Sequence, residues 1–254
     1  MKRLSQLIKR VRRRFKLRQA IPQTLASLDA YALWAATYPP IAHNRLMQVE
    51  QAAMLDLLPL LADRDVLDLA CGSGRYTQIA RDRSARRVIG LDNSVPMLRV
   101  GLQAGVTVQN GAPSLAQGEM DALPFAADTF DVLICALAIG HLPPTRMLAT
   151  FIEIARVLRP GGAALISDFH PFLYLSGGRR TFNAPNGITY AVEHTPHLIS
   201  DYYAALRSAG LTLERLSEPA VAPDLHSATL HSATLHSAAA PAVLILLARK
   251  PLSD

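Results

Sequence analysis

Val66-Leu67-Asp68-Leu69-Ala70-Cys71-Gly72-Ser73-Gly74 is the stretch that decides the fold. Its first five residues form a short apolar run around one carboxylate, the pattern of a strand covered on both faces of a parallel sheet. A tight glycine turn follows, and a helical pattern starts near Arg75. Without side chains, Gly72 and Gly74 let a ligand approach the backbone at a helix N-terminus that offers free N–H groups. The turn alone admits several cofactors. A nicotinamide or flavin fingerprint asks for a third glycine where this chain has Thr77.

The same texture recurs downstream. Residues 87–91 read as a second strand, followed by a helix with Ser94 as its cap and Pro96 in its first turn. Two segments, 106–108 and 115–117, qualify as the third strand. Residues 130–136 read as the fourth, 144–158 as a helix stopped by Arg159-Pro160-Gly161-Gly162, and 163–167 as the fifth. A helix over 197–209 and strands over 211–216 and 242–248 complete the pattern. Such alternation predicts an α/β fold with a doubly wound, mostly parallel seven-stranded sheet.

Upstream, residues 24–36 read as an amphipathic helix carrying Tyr31 and Trp34. It is broken by Tyr38-Pro39-Pro40, and a further helix is expected over 46–61. Residues 1–18 place Leu4, Leu7, Ile8, Val11 and Phe15 on one helical face. Residues 1–28 hold nine of the 26 Lys and Arg and no acid, so residues 29–254 have 17 cations against 20 acids, a net −3. The basic excess therefore belongs to an arm, and the body lacks the charge to grip a phosphate backbone. The apolar stripe among cations fits contact with an anionic membrane surface or packing of the helix on the body, with a transit sequence and an RNA-binding arm as the other readings. The organisation expected is an arm at 1–22 and one domain at 23–254. That domain divides into a helical lead-in (23–62), a binding core (63–168), a cap (169–203) and C-terminal strands with a repeat-containing loop (204–254).

Half of the 254 residues are apolar and 18% are charged, which excludes global disorder. Two cysteines, Cys71 and Cys135, support neither a disulfide framework nor a metal site and fit a cytoplasmic setting. No run approaches the ~18 apolar residues of a membrane span, and the cationic start lacks the apolar stretch of an export signal. His-Ser-Ala-Thr-Leu begins at His226 and again at His231, with a restart at His236. A five-residue step turns a helix by ~140° and switches faces on a strand, so a loop is expected there rather than a metal site.

Further ordered motifs follow the glycine turn. Asp92 ends the second strand, where a carboxylate can accept from both hydroxyls of a ribose. Gly118-Glu119-Met120-Asp121-Ala122-Leu123-Pro124-Phe125 comes next, then Asp128-Thr129-Phe130-Asp131-Val132, residues 136–142 and the Arg-Pro-Gly-Gly turn. Over about residues 60–170 the chain resembles the class I S-adenosylmethionine-dependent methyltransferases. The likeness is to the small-molecule group that includes ubiquinone/menaquinone and biotin-pathway enzymes, and Tyr31-x-x-Trp34-x-x-x-Tyr38 is also similar to that group.

The resemblance implies S-adenosylmethionine as cofactor. It assigns Asp68, Ala70 and the backbone of Gly72, Ser73 and Gly74 to the methionine end, and Asp92 to the ribose. Asn93 and Met97 would flank the adenine, Glu119 would accept from its amine, and the Met120 N–H would reach a ring nitrogen. Leu137 and His141 would line the methionine and acceptor side, and Tyr38 would close over the cofactor. The chain departs from the family at Ala70, where glycine is usual, and at Glu119, where aspartate is usual.

His141 and His170 are candidate bases, having imidazoles of suitable pKa near strand ends. Tyr174, His194 and Tyr202 are candidates for the acceptor pocket. An Asn/Asp-Pro-Pro-Tyr segment and a Pro-Cys pair, marks of base-methylating enzymes, are absent after the fourth strand. A small-molecule acceptor, methylated at O or C and lipophilic in character, is therefore expected. RNA or protein methylation, a nicotinamide-dependent oxidoreductase and a non-catalytic cofactor-binding protein are the alternatives.

Overall fold

The computed structural model describes residues 22–106, 108–109, 112–221 and 240–252. The amphipathic stripe of residues 1–18 and the His-Ser-Ala-Thr-Leu repeat lie outside them. The chain runs β1 (Gln23–Leu25), α1 (Ser27–Trp34), α2 (Arg45–Leu57), β2 (Asp65–Leu69), α3 (Arg75–Asp82), β3 (Arg87–Asp92), α4 (Val95–Gln103) and β4 (Leu115–Gln117). It continues through β5 (Phe130–Ala136), α5 (Pro144–Val157), β6 (Leu158–Phe169), α6 (Pro171–Leu175), β7 (Thr181–Asn183) and β8 (Thr189–Val192). The last elements of this numbering are α7 (Ile199–Ser208), β9 (Thr212–Ser217) and β10 (Val243–Arg249).

The central sheet has the order β9-β10-β6-β5-β2-β3-β4. β2 lies inside it, buried at all five positions, and pairs in parallel with β3 and β5. From β2 the chain winds outward through β3 and β4, then returns to β5 on the other side. The order reverses beside β2, the switch point at which open α/β sheets bind ligands outside their carboxyl ends. β10 is antiparallel to both of its neighbours.

Strand alternation sorts the core into two layers. Leu133 and Cys135 of β5 pack with Phe151 and Ile154 of α5 on one face. Val132 and Ile134 pack with Met54 of α2 and Tyr76 of α3 on the other. At the opposite edge from the switch point, Asp65 and Asp131 are held by Arg86, Arg87 and Arg159, with Asp131 also accepting the Asp65 N–H. Those acids are structural.

Several boundaries differ from the sequence reading. The segment expected to be helical from residue 24 begins as β1, because residues 23–25 pair in parallel with β8. α2 ends at Leu57 rather than near 61. Leu58 precedes Pro59, whose ring excludes the helical conformation one residue earlier. The Arg159-Pro160-Gly161-Gly162 turn lies within one twelve-residue strand, β6, and the change of register opposite Phe130 and Val132 absorbs it. Of the two candidates for the third sheet strand, Leu115–Gln117 is the one that pairs with β3. Ser94 precedes α4, but its side chain makes no cap. The carboxylate of Asp92 accepts the Ser94 N–H instead. The cap region forms a three-stranded sheet, β1-β8-β7, with α1 against it.

Candidate functional site

The glycine turn leaves β2 through three left-handed residues, Ala70, Gly72 and Gly74, at φ 56°, 56° and 81°. Ala70 therefore adopts a conformation that glycine reaches at lower cost, about 1–2 kcal/mol for an L-residue. The third fingerprint glycine would serve close packing of helix on strand. Here that glycine is on β3. A Cβ at Gly90 would stand 2.7 Å from the Thr77 hydroxyl and 2.9 Å from Cys71 Sγ. Thr77 uses the space to donate its hydroxyl to Asp68 Oδ2 at 2.7 Å.

Asp92 fixes the turn from the neighbouring strand. Its Oδ2 accepts the Gly72 N–H and its Oδ1 the Ser94 N–H, each at 2.8 Å. Burial pushes the Asp92 carboxyl above its ordinary range. Burial also pushes Asp68 up to about 7, against the Thr77 hydroxyl and N–H that favour its charged form. Both carboxylates face one cleft of about 1040 Å³, open mouth included, which lies at the upper end for small-molecule sites.

Most of the expected cofactor set lines that cleft: Tyr38, Asp68, Ala70, Gly72, Ser73, Asp92, Asn93, Met97, Glu119, Met120 and Leu137. Gly74 does not; its left-handed backbone packs on Val106 and shapes the turn from behind. At the Glu119 end the carboxylate accepts from Arg146 at 2.7 Å and stands 3.3 Å from the Asn93 amide. Arg146 is itself gripped by both oxygens of Asp121. The extra methylene of Glu119 is thus accommodated by a guanidinium reaching over from α5.

Beneath the turn, Glu50 of α2 is fully buried and accepts from Arg75, the Tyr76 hydroxyl and the Ser167 hydroxyl at 2.9, 2.9 and 2.7 Å. A buried carboxylate is tolerated only with such partners. This one locks α2 to the start of α3 and sets Arg75 at the cleft wall.

The other end of the cleft is aromatic. Tyr31 stacks on Trp34 with centroids 6.0 Å apart, and Trp34 stacks on Phe182 of β7 at 4.8 Å. The Nδ1 of His141 lies 2.9 Å from the Glu193 carbonyl. A carbonyl only accepts, so Nδ1 carries the proton and Nε2 accepts from the Tyr31 hydroxyl at 3.2 Å. Burial, then the charge of Arg180, hold the His141 imidazole down to about 3. It is therefore neutral at ordinary pH.

The remaining sequence candidates fall outside this cleft. His170 caps α6, its Nδ1 accepting the Phe172 N–H at 3.2 Å while Nε2 bonds Glu218 at 2.8 Å. Nδ1 serves the cap and Nε2 is taken by Glu218, so both ring nitrogens are engaged away from the cleft. Tyr202 is buried and donates to Asp168, which also accepts the Gly140 and Phe169 N–H groups. It steadies the turn that carries His141 without touching the cleft. His194 and Tyr174 line a separate small pocket beside Phe169. Gly140 lacks a side chain because a Cβ there would fall inside the His194 ring. Cys71 and Cys135 are free and buried, and burial pushes both thiols up.

Sequence reasoning missed Arg75, Arg146, Arg180 and Met47, all of which line the cleft. Only Arg75 carried a usable signal, as the first residue of the helix after the glycine turn.

The donor and acceptor set suits S-adenosylmethionine. Asp92 can accept from a vicinal diol, Asp68 can face an ammonium, the glycine backbone leaves room, and Met97 and Met120 offer apolar walls to a planar base. Residues 66–162 match the family model described as a methyltransferase domain. The chain is 41% identical over 106 residues to the demethylmenaquinone methyltransferase of Lactiplantibacillus plantarum, covering 40% of this chain and 44% of that protein. It is 36% identical over 138 residues to the biotin biosynthesis bifunctional protein BioHC of Cellvibrio japonicus, covering 54% of this chain and 26% of that one. The chain thus spans less than half the length of either relative. A solved S-adenosylmethionine-dependent methyltransferase from Mesorhizobium loti superposes with a TM-score of 0.61 at 21% identity, over 79% of this chain and 97% of its own. Residues 66–162 are thus similar to a methyltransferase domain, and the chain shares its fold with solved S-adenosylmethionine-dependent methyltransferases.

Proposed function

We propose that this protein transfers a methyl group from S-adenosylmethionine to a small-molecule acceptor, at oxygen or carbon. The observation that carries the reading is the pairing of Asp68 and Asp92, on adjacent strand ends either side of the glycine turn, in one cleft. Asp68 takes the ammonium of the methionine end, Asp92 the ribose hydroxyls, and Glu119, steadied by Arg146, the adenine amine. When bound, S-adenosylmethionine supplies a methyl made electrophilic by its positive sulfur.

The chain then contributes alignment and exclusion of water, the larger part of the acceleration when the electrophile arrives already activated. Tyr31 and His141 form the acceptor wall. The imidazole takes no proton at neutral pH, so it acts as a positioning residue that directs the Tyr31 hydroxyl. Leu28 and Ile41, exposed at the rim, support an acceptor with a lipophilic body.

The test is label transfer from methyl-tritiated S-adenosylmethionine into a cell extract fractionated into small molecules, protein and RNA. Label is expected in the organic-extractable small molecules. Label confined to protein or RNA would replace this reading.

A further inference from the structure

Three arginines among the described residues line the cleft, and two of them are neutralised. Arg75 is paired with Glu50 at 2.9 Å. Arg146 is paired with Glu119 at 2.7 Å and Asp121 at 2.6 Å. Arg180 is different. Its hydrogen bond is one N–H to the Leu137 carbonyl at 3.2 Å, and among the described residues no carboxylate pairs with it. The rest of its surroundings are rings: its guanidinium carbon lies 5.3 Å from the centroid of Tyr31, 5.8 Å from Trp34 and 5.3 Å from Phe169.

The position is fixed. The Arg180 carbonyl accepts the Val192 N–H at 2.8 Å, which ties the residue into the entry of β7 beside β8. The half-buried guanidinium has five donors, of which one is used. Rings attract a cation, but they do not satisfy its N–H groups. A charge withdrawn from water without an ionic partner is costly, and planar guanidinium matches a carboxylate or other oxyanion.

We infer that Arg180 is a specificity-determining residue that selects an acceptor carrying an oxyanion, a carboxylate or a phenolate, attached to a planar apolar body held in the cleft against Tyr31. The inference rests on the methyltransferase reading and names its substrate class. The titration state of the wall fits it. Burial keeps the Tyr31 hydroxyl protonated and the His141 imidazole uncharged, so neither is poised to take a proton at neutral pH. An acceptor that arrives ionised needs no base. Its oxygen lone pair forms the new O–C bond as the S–C bond breaks, the bond pair stays on sulfur, and the two opposite charges cancel with no proton left to move.

The experiment titrates benzoate and its neutral isostere benzamide into the full-length protein, with and without saturating S-adenosylhomocysteine, by calorimetry. Wild type is expected to prefer benzoate by about tenfold or more, the worth of a charge-assisted hydrogen bond. Arg180→Gln should abolish that preference and Arg180→Lys should retain part of it, while the affinity for S-adenosylhomocysteine shifts less than about twofold. Equal binding of the two probes, no binding of benzoate, or a tenfold loss of S-adenosylhomocysteine affinity in Arg180→Gln would overturn the inference. The last outcome would assign Arg180 to the cofactor's own carboxylate. Failure of wild type to bind S-adenosylhomocysteine would strike the underlying reading instead, since the benzoate preference is also read without it.

Discussion

Replacing Asp92 with asparagine is expected to weaken S-adenosylhomocysteine binding by about 100-fold, with the variant still folded. The carboxylate accepts two backbone N–H groups, from Gly72 and Ser94, and faces the cleft with its remaining lone pairs. An amide keeps the volume but turns one oxygen into a donor. Whichever way it flips, its NH2 confronts one backbone N–H, while the amide oxygen keeps only the other and no longer carries charge. Two hydrogen bonds to a charged acceptor, at about 1.5–3 kcal/mol each, place the loss at two orders of magnitude or more. Calorimetry checks the affinity and far-ultraviolet circular dichroism checks the fold. A loss below about fivefold would mean that Asp92 serves the turn alone.

The second large effect is a pH profile. Asp68 is pushed up to about 7 by burial, so in the ligand-free protein it is half protonated near neutrality. Its folded pKa lies above the ordinary carboxylate value, so the folded state holds a proton that the unfolded chain releases. The resulting stabilisation is complete below about pH 4 and is lost as pH rises to about 7. Ligand binding runs the other way. An ammonium in the cleft favours the charged carboxylate, so S-adenosylhomocysteine affinity should rise about tenfold from pH 6 to pH 8 and then level. In Asp68→Asn the profile should be flat and the affinity low throughout. A flat profile in the wild type would show that the ligand's ammonium does not use Asp68.

The parts of the site that could be read from the sequence are those in which neighbouring residues do one job. Asp68, the glycine turn and Asp92 lie on consecutive strand–turn–helix units, so a local pattern fixes their common edge. Thr77 looked like a defect in a glycine fingerprint. In three dimensions the missing side chain is at Gly90, on another strand, where no local pattern points to it.

His170 misled for a related reason. Its position after a strand end is correct, but Pro171 starts a helix there, and the imidazole turns to cap it. Tyr202 and His194 were judged by residue type, whereas packing against Asp168 and Gly140 decides their orientation. Arg146 and Arg180 come from elements remote in the chain. Their importance depends on which carboxylates stand opposite, and only the folded arrangement tells a paired arginine from an unpaired one.

The central claim is that the cleft beside β2 holds S-adenosylmethionine rather than a nicotinamide dinucleotide. Isothermal titration of the full-length protein with S-adenosylhomocysteine and, separately, with NAD tests it most directly. A one-to-one complex with S-adenosylhomocysteine at micromolar affinity, about −8 kcal/mol, and no saturable heat with NAD are expected. Saturable binding of NAD with none of S-adenosylhomocysteine would contradict it.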